Sequence, residues 1–126
     1  MPPFEPTGVH LIADLYGIDA ARLTDPARLA ELLRSAASRA GATVLNCDFH
    51  QFGAAGGVTG VVMLAESHIS IHTWPESGFA AVDIFMCGAA APQVALEWIE
   101  QHLEPSDRRL HQIARGAQQA DRATQA

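Results

Sequence analysis

Hydrophobic residues alternate with polar ones along several short stretches of the chain and recur at helical spacing in two others. From Gly8 to Tyr16, Leu11, Ala13 and Leu15 alternate with Ile12, Asp14 and Tyr16, which predicts a strand with one apolar face. A helix follows, bounded by chemistry as well as period. Thr24 or Asp25 can cap it and Pro26 suits its first position. Leu29, Leu32, Leu33, Ala36, Ala37 and Ala40 make its apolar stripe, and Gly41 fits its end. Arg22, Arg28, Arg34 and Arg39 fall on or near the other side and are expected to be solvated. Ala42–Phe52 and Val58–Ala65 read as two strands of an antiparallel hairpin joined by the flexible turn Gly53–Gly57.

The apolar run into Ala65 stops at Glu66 and Ser67 and then alternates. His68, Ser70 and His72 share one parity and Ile69 and Ile71 the other, the pattern of a half-buried strand with one wet face. Ser77-Gly78 turns the chain into a strand Phe79–Cys87, with Val82, Ile84 and Met86 on one face and Asp83, Phe85 and Cys87 on the other. Pro92 opens a second helix. Its expected buried stripe is Val94, Ala95, Trp98, Ile99 and His102, its wet side Gln93, Glu97, Glu100 and Gln101, and its end Glu104-Pro105. Arg108–Arg115 supplies a last strand, expected at an edge because of its charges. The prolines at positions 2, 3 and 6 keep the first residues irregular, and the tail 116–126 has no apolar period and is expected to be frayed or disordered. Strand, helix, several strands, helix and strand together predict an α+β two-layer sandwich: a mainly antiparallel sheet with two helices on one face.

A chain of 126 residues holds one domain, 1–126, with one core. Its hydrophobic share of 48% and charged share of 17% are those of a soluble globular protein. A formal net charge of -6 without a Lys/Arg cluster excludes nucleic acid as an expected partner, because phosphate neutralisation needs a basic face. No apolar run reaches the roughly 18 residues of a membrane span. Met1–Pro6 lacks the basic and apolar regions of a secretory signal, so the expected location is cytoplasmic. There Cys47 and Cys87 have little need to form a disulfide. No metal ligand set is assigned.

The block Leu64–Glu76, with Glu66-Ser67-His68 and then His72-Thr73-Trp74-Pro75-Glu76, resembles the self-cleavage segment of the bacterial and archaeal S-adenosylmethionine decarboxylase proenzymes, a pyruvoyl-dependent family. The resemblance extends over most of the chain, through Gly8-Val9-His10-Leu11, Gly41-Ala42-Thr43, Phe49-His50 and Phe79–Gly88. It implies the same two-layer fold and a homodimer with active sites near the interface. It also implies that Ser67 attacks the Glu66 carbonyl, turning the amide into an ester. Elimination and hydrolysis then leave a β chain, 1–66, and an α chain, 67–126, that begins with a pyruvoyl group made from Ser67. That ketone is the electron sink a decarboxylation needs, and it carries the substrate amine as a Schiff base.

The resemblance assigns further roles one by one. His72 deprotonates during the elimination, which suits an imidazole, and Thr59 stands where the family uses a hydroxyl, usually serine, to assist processing. Cys87 is the acid that reprotonates the substrate α-carbon. Phe52 and Trp74 match an aromatic stack on adenine, and Glu76 a carboxylate on the ribose hydroxyls. Taken without the resemblance, His68 and His72 read equally as strand histidines facing water, and Cys87, Phe52 and Trp74 as core residues. The implied reaction converts S-adenosylmethionine to the aminopropyl donor of spermidine and other polyamines.

Two departures stand beside the presumed pocket. The loop 53–57 is one residue longer than expected in the family and holds only Gly and Ala, and Gln51 replaces a residue that is often basic. They leave open a switched substrate, arginine or ornithine, on the same fold and cofactor. Trp74 and Glu76 favour the adenosyl substrate. A non-enzymatic homologue that binds a decarboxylase partner is a third reading, opposed by the intact Glu66-Ser67, His72 and Cys87.

Overall fold

The structure, a computed structural model, describes residues 7–116. The irregular start expected at 1–6 and the frayed tail expected past Gly116 lie outside the described residues. Six strands form one sheet: β1 (Gly8–Tyr16), β2 (Val44–Gln51), β3 (Val58–Leu64), β4 (Ser67–Trp74), β5 (Phe79–Cys87) and β6 (Asp107–Arg115). Their order is β2-β3-β4-β5-β1-β6, and every neighbouring pair is antiparallel. Helices α1 (Pro26–Arg39) and α2 (Pro92–Leu103) pack on each other and on one face of the sheet, which is the expected two-layer α+β sandwich.

Alternation decides which side chains meet the helices. Leu11, Ala13 and Leu15 of β1, Ile69 and Ile71 of β4, and Val82, Ile84 and Met86 of β5 are buried under them. In α1 the Asp25 carboxylate accepts from the backbone N–H groups of Ala27 and Arg28, and Pro26 occupies the first turn. Leu29, Leu33, Ala36 and Ala37 form its buried stripe, and Gly41 leaves the helix at φ 84°. Gly60 on β3 is required by packing: a Cβ there would lie 2.1 Å from ring atoms of Phe49 on β2.

Four expectations need correction. In α2 the buried residues are Pro92, Ala95, Leu96, Ile99 and Leu103, whereas Val94 is 39% exposed and His102 is exposed. Trp98, in the middle of the helix, lies at the edge of this stripe, half-buried, with its indole N–H donating to Ser35 Oγ at 2.9 Å. Arg39 is not simply solvated, since its guanidinium stacks 3.6 Å from the Trp98 ring centroid. Nor is Arg22, which donates to the His102 carbonyl and the Glu104 carboxylate. Finally, β2 is shorter than Ala42–Phe52, and a register shift between Val44 and Asn46 turns Leu45 outward.

The face away from the helices carries His10, Thr59, His72, Trp74, Phe85 and Cys87. Both cysteines are free thiols. Among the described residues no helix is long and apolar enough to cross a membrane.

Candidate active site

The chain reverses between β3 and β4 in the turn Ala65-Glu66, and Ser67 is the first residue of β4. Two neighbours hold this turn. Ala65 N–H donates to the Thr43 carbonyl at 2.9 Å, Thr43 N–H donates to Glu66 Oε1 at 2.8 Å, and Thr43 Oγ1 donates to Oε2 at 3.4 Å. From the other side, Cys87 N–H donates to the Glu66 carbonyl oxygen at 3.1 Å. Between these anchors Ser67 has φ 150°, a region that non-glycine residues seldom adopt. Such a conformation costs about 1–3 kcal/mol and persists only where the surroundings enforce it. Backbone strain in this turn therefore sits at Ser67, next to the Glu66-Ser67 bond.

Cys87 meets both sides of that bond. The register of β4 and β5 pairs Ser67 with Met86, and the neighbouring Cys87 brings its Sγ to 3.6 Å from Ser67 Oγ. Its backbone N–H is the donor on the Glu66 carbonyl, where negative charge would develop if a hydroxyl attacked. Cys87 is half-buried at the end of its strand on the face away from the helices, so it is not a core residue.

The other predicted residues gather elsewhere. Thr59 pairs with His72 across β3 and β4, and Thr59 Oγ1 hydrogen-bonds His72 Nδ1 at 3.0 Å. Beside them Phe52, Gly57, Thr59, His72, Trp74 and Glu76 line a cavity of 240 Å³. Phe52 is 58% and Trp74 42% exposed, which removes the core reading for both. Trp74 stacks on Phe79 at 5.1 Å between ring centroids, which holds its plane, and Glu76 sits exposed in the short turn Pro75–Ser77. A second cavity of 300 Å³, reaching Asp48, His50 and Ser70, adjoins on the same face. A 270 Å³ cavity lined by Arg22, Asp25, Arg28 and His102 lies in the helix layer instead, away from all of these residues.

One chain thus carries two separate groups of these residues. Ser67 and His72 are both on β4, and at about 3.3 Å per residue the five steps between them span roughly 16 Å. An extended strand keeps the Ser67–Cys87 pair and the His72 pocket apart.

His68 next to Ser67 belongs to a cluster with His10, Asp83, Phe85 and Arg115. His10 Nε2 and Asp83 Oδ1 are 3.1 Å apart, and Arg115 reaches His10 Nδ1 at 3.4 Å. Burial, and then the neighbouring His10, hold the His68 imidazole below its ordinary value of 6.5, while Asp83 opposes them. The sequence reading missed this cluster, although the shared parity of Asp83, Phe85 and Cys87 was a partial signal. Thr43 stands in the sequence only as part of the matched Gly41-Ala42-Thr43, without a role, because its partner Glu66 is 23 residues away. Among the described residues no group of three His, Cys, Asp or Glu side chains is arranged to hold a metal ion.

Known proteins resemble this chain over most of its length. The family model described as S-adenosylmethionine decarboxylase matches residues 9–116. An S-adenosylmethionine decarboxylase proenzyme of Prochlorococcus marinus (strain MIT 9313) is 49% identical over 109 residues, covering 86% of this chain and 86% of that protein. A protein of the same description from Aquifex aeolicus (strain VF5) is 44% identical over 108 residues, covering 83% of this chain and 79% of that protein. The crystal structure of the adenosylmethionine decarboxylase from Aquifex aeolicus VF5 superposes with a TM-score of 0.83 at 39% identity, covering 91% of this chain and 95% of that one. With a family model matching residues 9–116 and relatives that align over most of their length, the chain belongs to the S-adenosylmethionine decarboxylase family.

Proposed function

We propose that this chain is a proenzyme that cuts itself between Glu66 and Ser67 and then decarboxylates S-adenosylmethionine, yielding an aminopropyl donor for polyamine synthesis. The observation that carries the reading is the Ser67 backbone at φ 150°, next to a Glu66 carbonyl already hydrogen-bonded by Cys87 N–H. In the first step Ser67 Oγ bonds to the Glu66 carbonyl carbon. The C–N bond breaks and the hydroxyl proton passes to the nitrogen, leaving an ester. His72 then removes the Ser67 α-proton, the main-chain carboxylate of residue 66 leaves from the β-carbon, the dehydroalanine so formed tautomerises to an imine, and water hydrolyses it with loss of ammonia. The products are a β chain, 1–66, and an α chain, 67–126, that starts with pyruvoyl.

The residues around Ser67 fit such a group: a thiol lies 3.6 Å from the serine oxygen, and no side-chain amine is needed to make it. Once formed, the ketone supplies the electron sink for decarboxylation. Cys87 delivers the proton that the substrate α-carbon takes up. Phe52 and Trp74 offer aromatic faces on which the adenine stacks, and Glu76 accepts hydrogen bonds from the ribose hydroxyls.

The roughly 16 Å between Ser67 and His72 supports a homodimer whose sites are shared. Two copies packed through their uncovered sheet faces about a two-fold axis would bring the His72 pocket of one to the Ser67–Cys87 pair of the other. The reading keeps the cytoplasmic location expected above. Relatives named for S-adenosylmethionine support the adenosyl substrate over arginine or ornithine. Release of CO2 from these three compounds, offered separately to the cleaved protein, tests the choice. Release from S-adenosylmethionine alone is expected, and release only from arginine or ornithine would refute it.

A further inference from the structure

Glu66 supplies the carbonyl that Ser67 attacks, and that chemistry asks nothing of its side chain. Yet the residue is only 7% exposed, and among the described residues no Lys, Arg or His is ion-paired with it. Burying a carboxylate without a cation is unfavourable unless hydrogen bonds replace the lost water. Here both replacements come from Thr43, through its N–H at 2.8 Å and its hydroxyl at 3.4 Å. The Thr43 carbonyl in turn accepts from Ala65 N–H at 2.9 Å. Residue 43 therefore grips the 65–66 turn through three bonds, just beyond the last β2–β3 pair, Val44 with Leu64.

Cys87 N–H holds the Glu66 carbonyl from the side of β5. With the acyl residue anchored on both sides, the unfavourable backbone angle falls on Ser67. Were the carboxylate released, Glu66 could rotate about its backbone and let Ser67 relax. We propose that the Glu66 carboxylate is a positioning group for self-cleavage: its bonds to Thr43 fix the Glu66 carbonyl where Ser67 Oγ can reach the carbonyl carbon. The proposal rests on the self-cleavage reading above and assigns a role to a side chain that the reading leaves idle.

The test follows the cleavage of freshly folded chains by mass spectrometry and checks folding by thermal unfolding of the same variants carrying Ser67→Ala. Glu66→Gln keeps the reach of the side chain and an acceptor for Thr43 N–H, and should cleave within about threefold of the wild type. Glu66→Asp keeps the charge but is one methylene too short, and should cleave about tenfold or more slowly, as should Glu66→Ala. Hydroxylamine, which cuts esters, should not rescue the slow variants, because their defect precedes ester formation. It should cut His72→Ala, in which the ester accumulates. Wild-type cleavage by a folded Glu66→Asp, equal slowing by Glu66→Gln and Glu66→Asp, or hydroxylamine rescue of Glu66→Asp would each overturn the clamp. If Glu66→Ala does not fold, the contrast between Gln and Asp still decides. A wild-type chain that never cleaves would instead refute the underlying reading.

Discussion

Co-expression of Ser67→Ala with His72→Ala tests the shared site from two defects on one strand. A proton transfer needs partners within about 3 Å, whereas Ser67 and His72 of one chain lie roughly 16 Å apart. A chain cannot use its own histidine. Each variant alone should remain whole: the first has no hydroxyl, and in the second neither site has its base. In a mixed dimer one site has an intact Ser67 from the His72→Ala chain and an intact His72 from the Ser67→Ala chain. Only the His72→Ala chain can be cut there. With random pairing at equal expression, about half of the His72→Ala chains sit in mixed dimers, and that share should appear as cleaved fragments. The assay is mass spectrometry of the co-purified chains, one of them carrying a short tag so that the source of each fragment is known. Mixed dimers that form but leave the His72→Ala chain whole would refute the shared site. So would wild-type cleavage of His72→Ala by itself.

Two further predictions concern single residues. Cys87→Ser keeps the backbone N–H on the Glu66 carbonyl, so it should still cleave, but its turnover should fall by about a hundredfold or more with the loss of the proton donor. Steady-state CO2 release checks this, and unchanged turnover would strip the thiol of its role. For His68 the folded chain resists a proton that the unfolded chain accepts near 6.5, so the unfolded state binds more protons as pH falls. The stability contributed by neutral His68 is complete above about pH 6.5 and declines as pH drops through that value. In the Ser67→Ala background, thermal unfolding should therefore show a smaller loss of Tm on acidification for His68→Gln than for His68. An identical slope would contradict the effect of burial and His10.

Much of this architecture was legible in the sequence because alternation and capping are local. Ile69 and Ile71 against His68, Ser70 and His72 defined the two faces of β4, and Asp25-Pro26 fixed the start of α1. The phase of α2 is not legible in the sequence, because the large Trp98 draws the expected stripe toward itself while the smaller Leu96 and Leu103 occupy the core. The site residues were recognisable by their motif, but their arrangement was not. Five positions look close in a sequence and are far apart on an extended strand, so Ser67 and His72 read as one site although the fold separates them. The contacts that shape the Glu66-Ser67 bond come from Thr43 and from the Cys87 backbone N–H. Both are long-range, and the second involves no side chain at all.

The most direct test of the central claim is intact-mass spectrometry of the purified wild-type protein. Two chains are expected, residues 1–66 ending in a free main-chain carboxylate on Glu66 and residues 67–126 beginning with pyruvoyl in place of Ser67. An undivided chain of 126 residues, or a second fragment that begins with an ordinary serine, would contradict it.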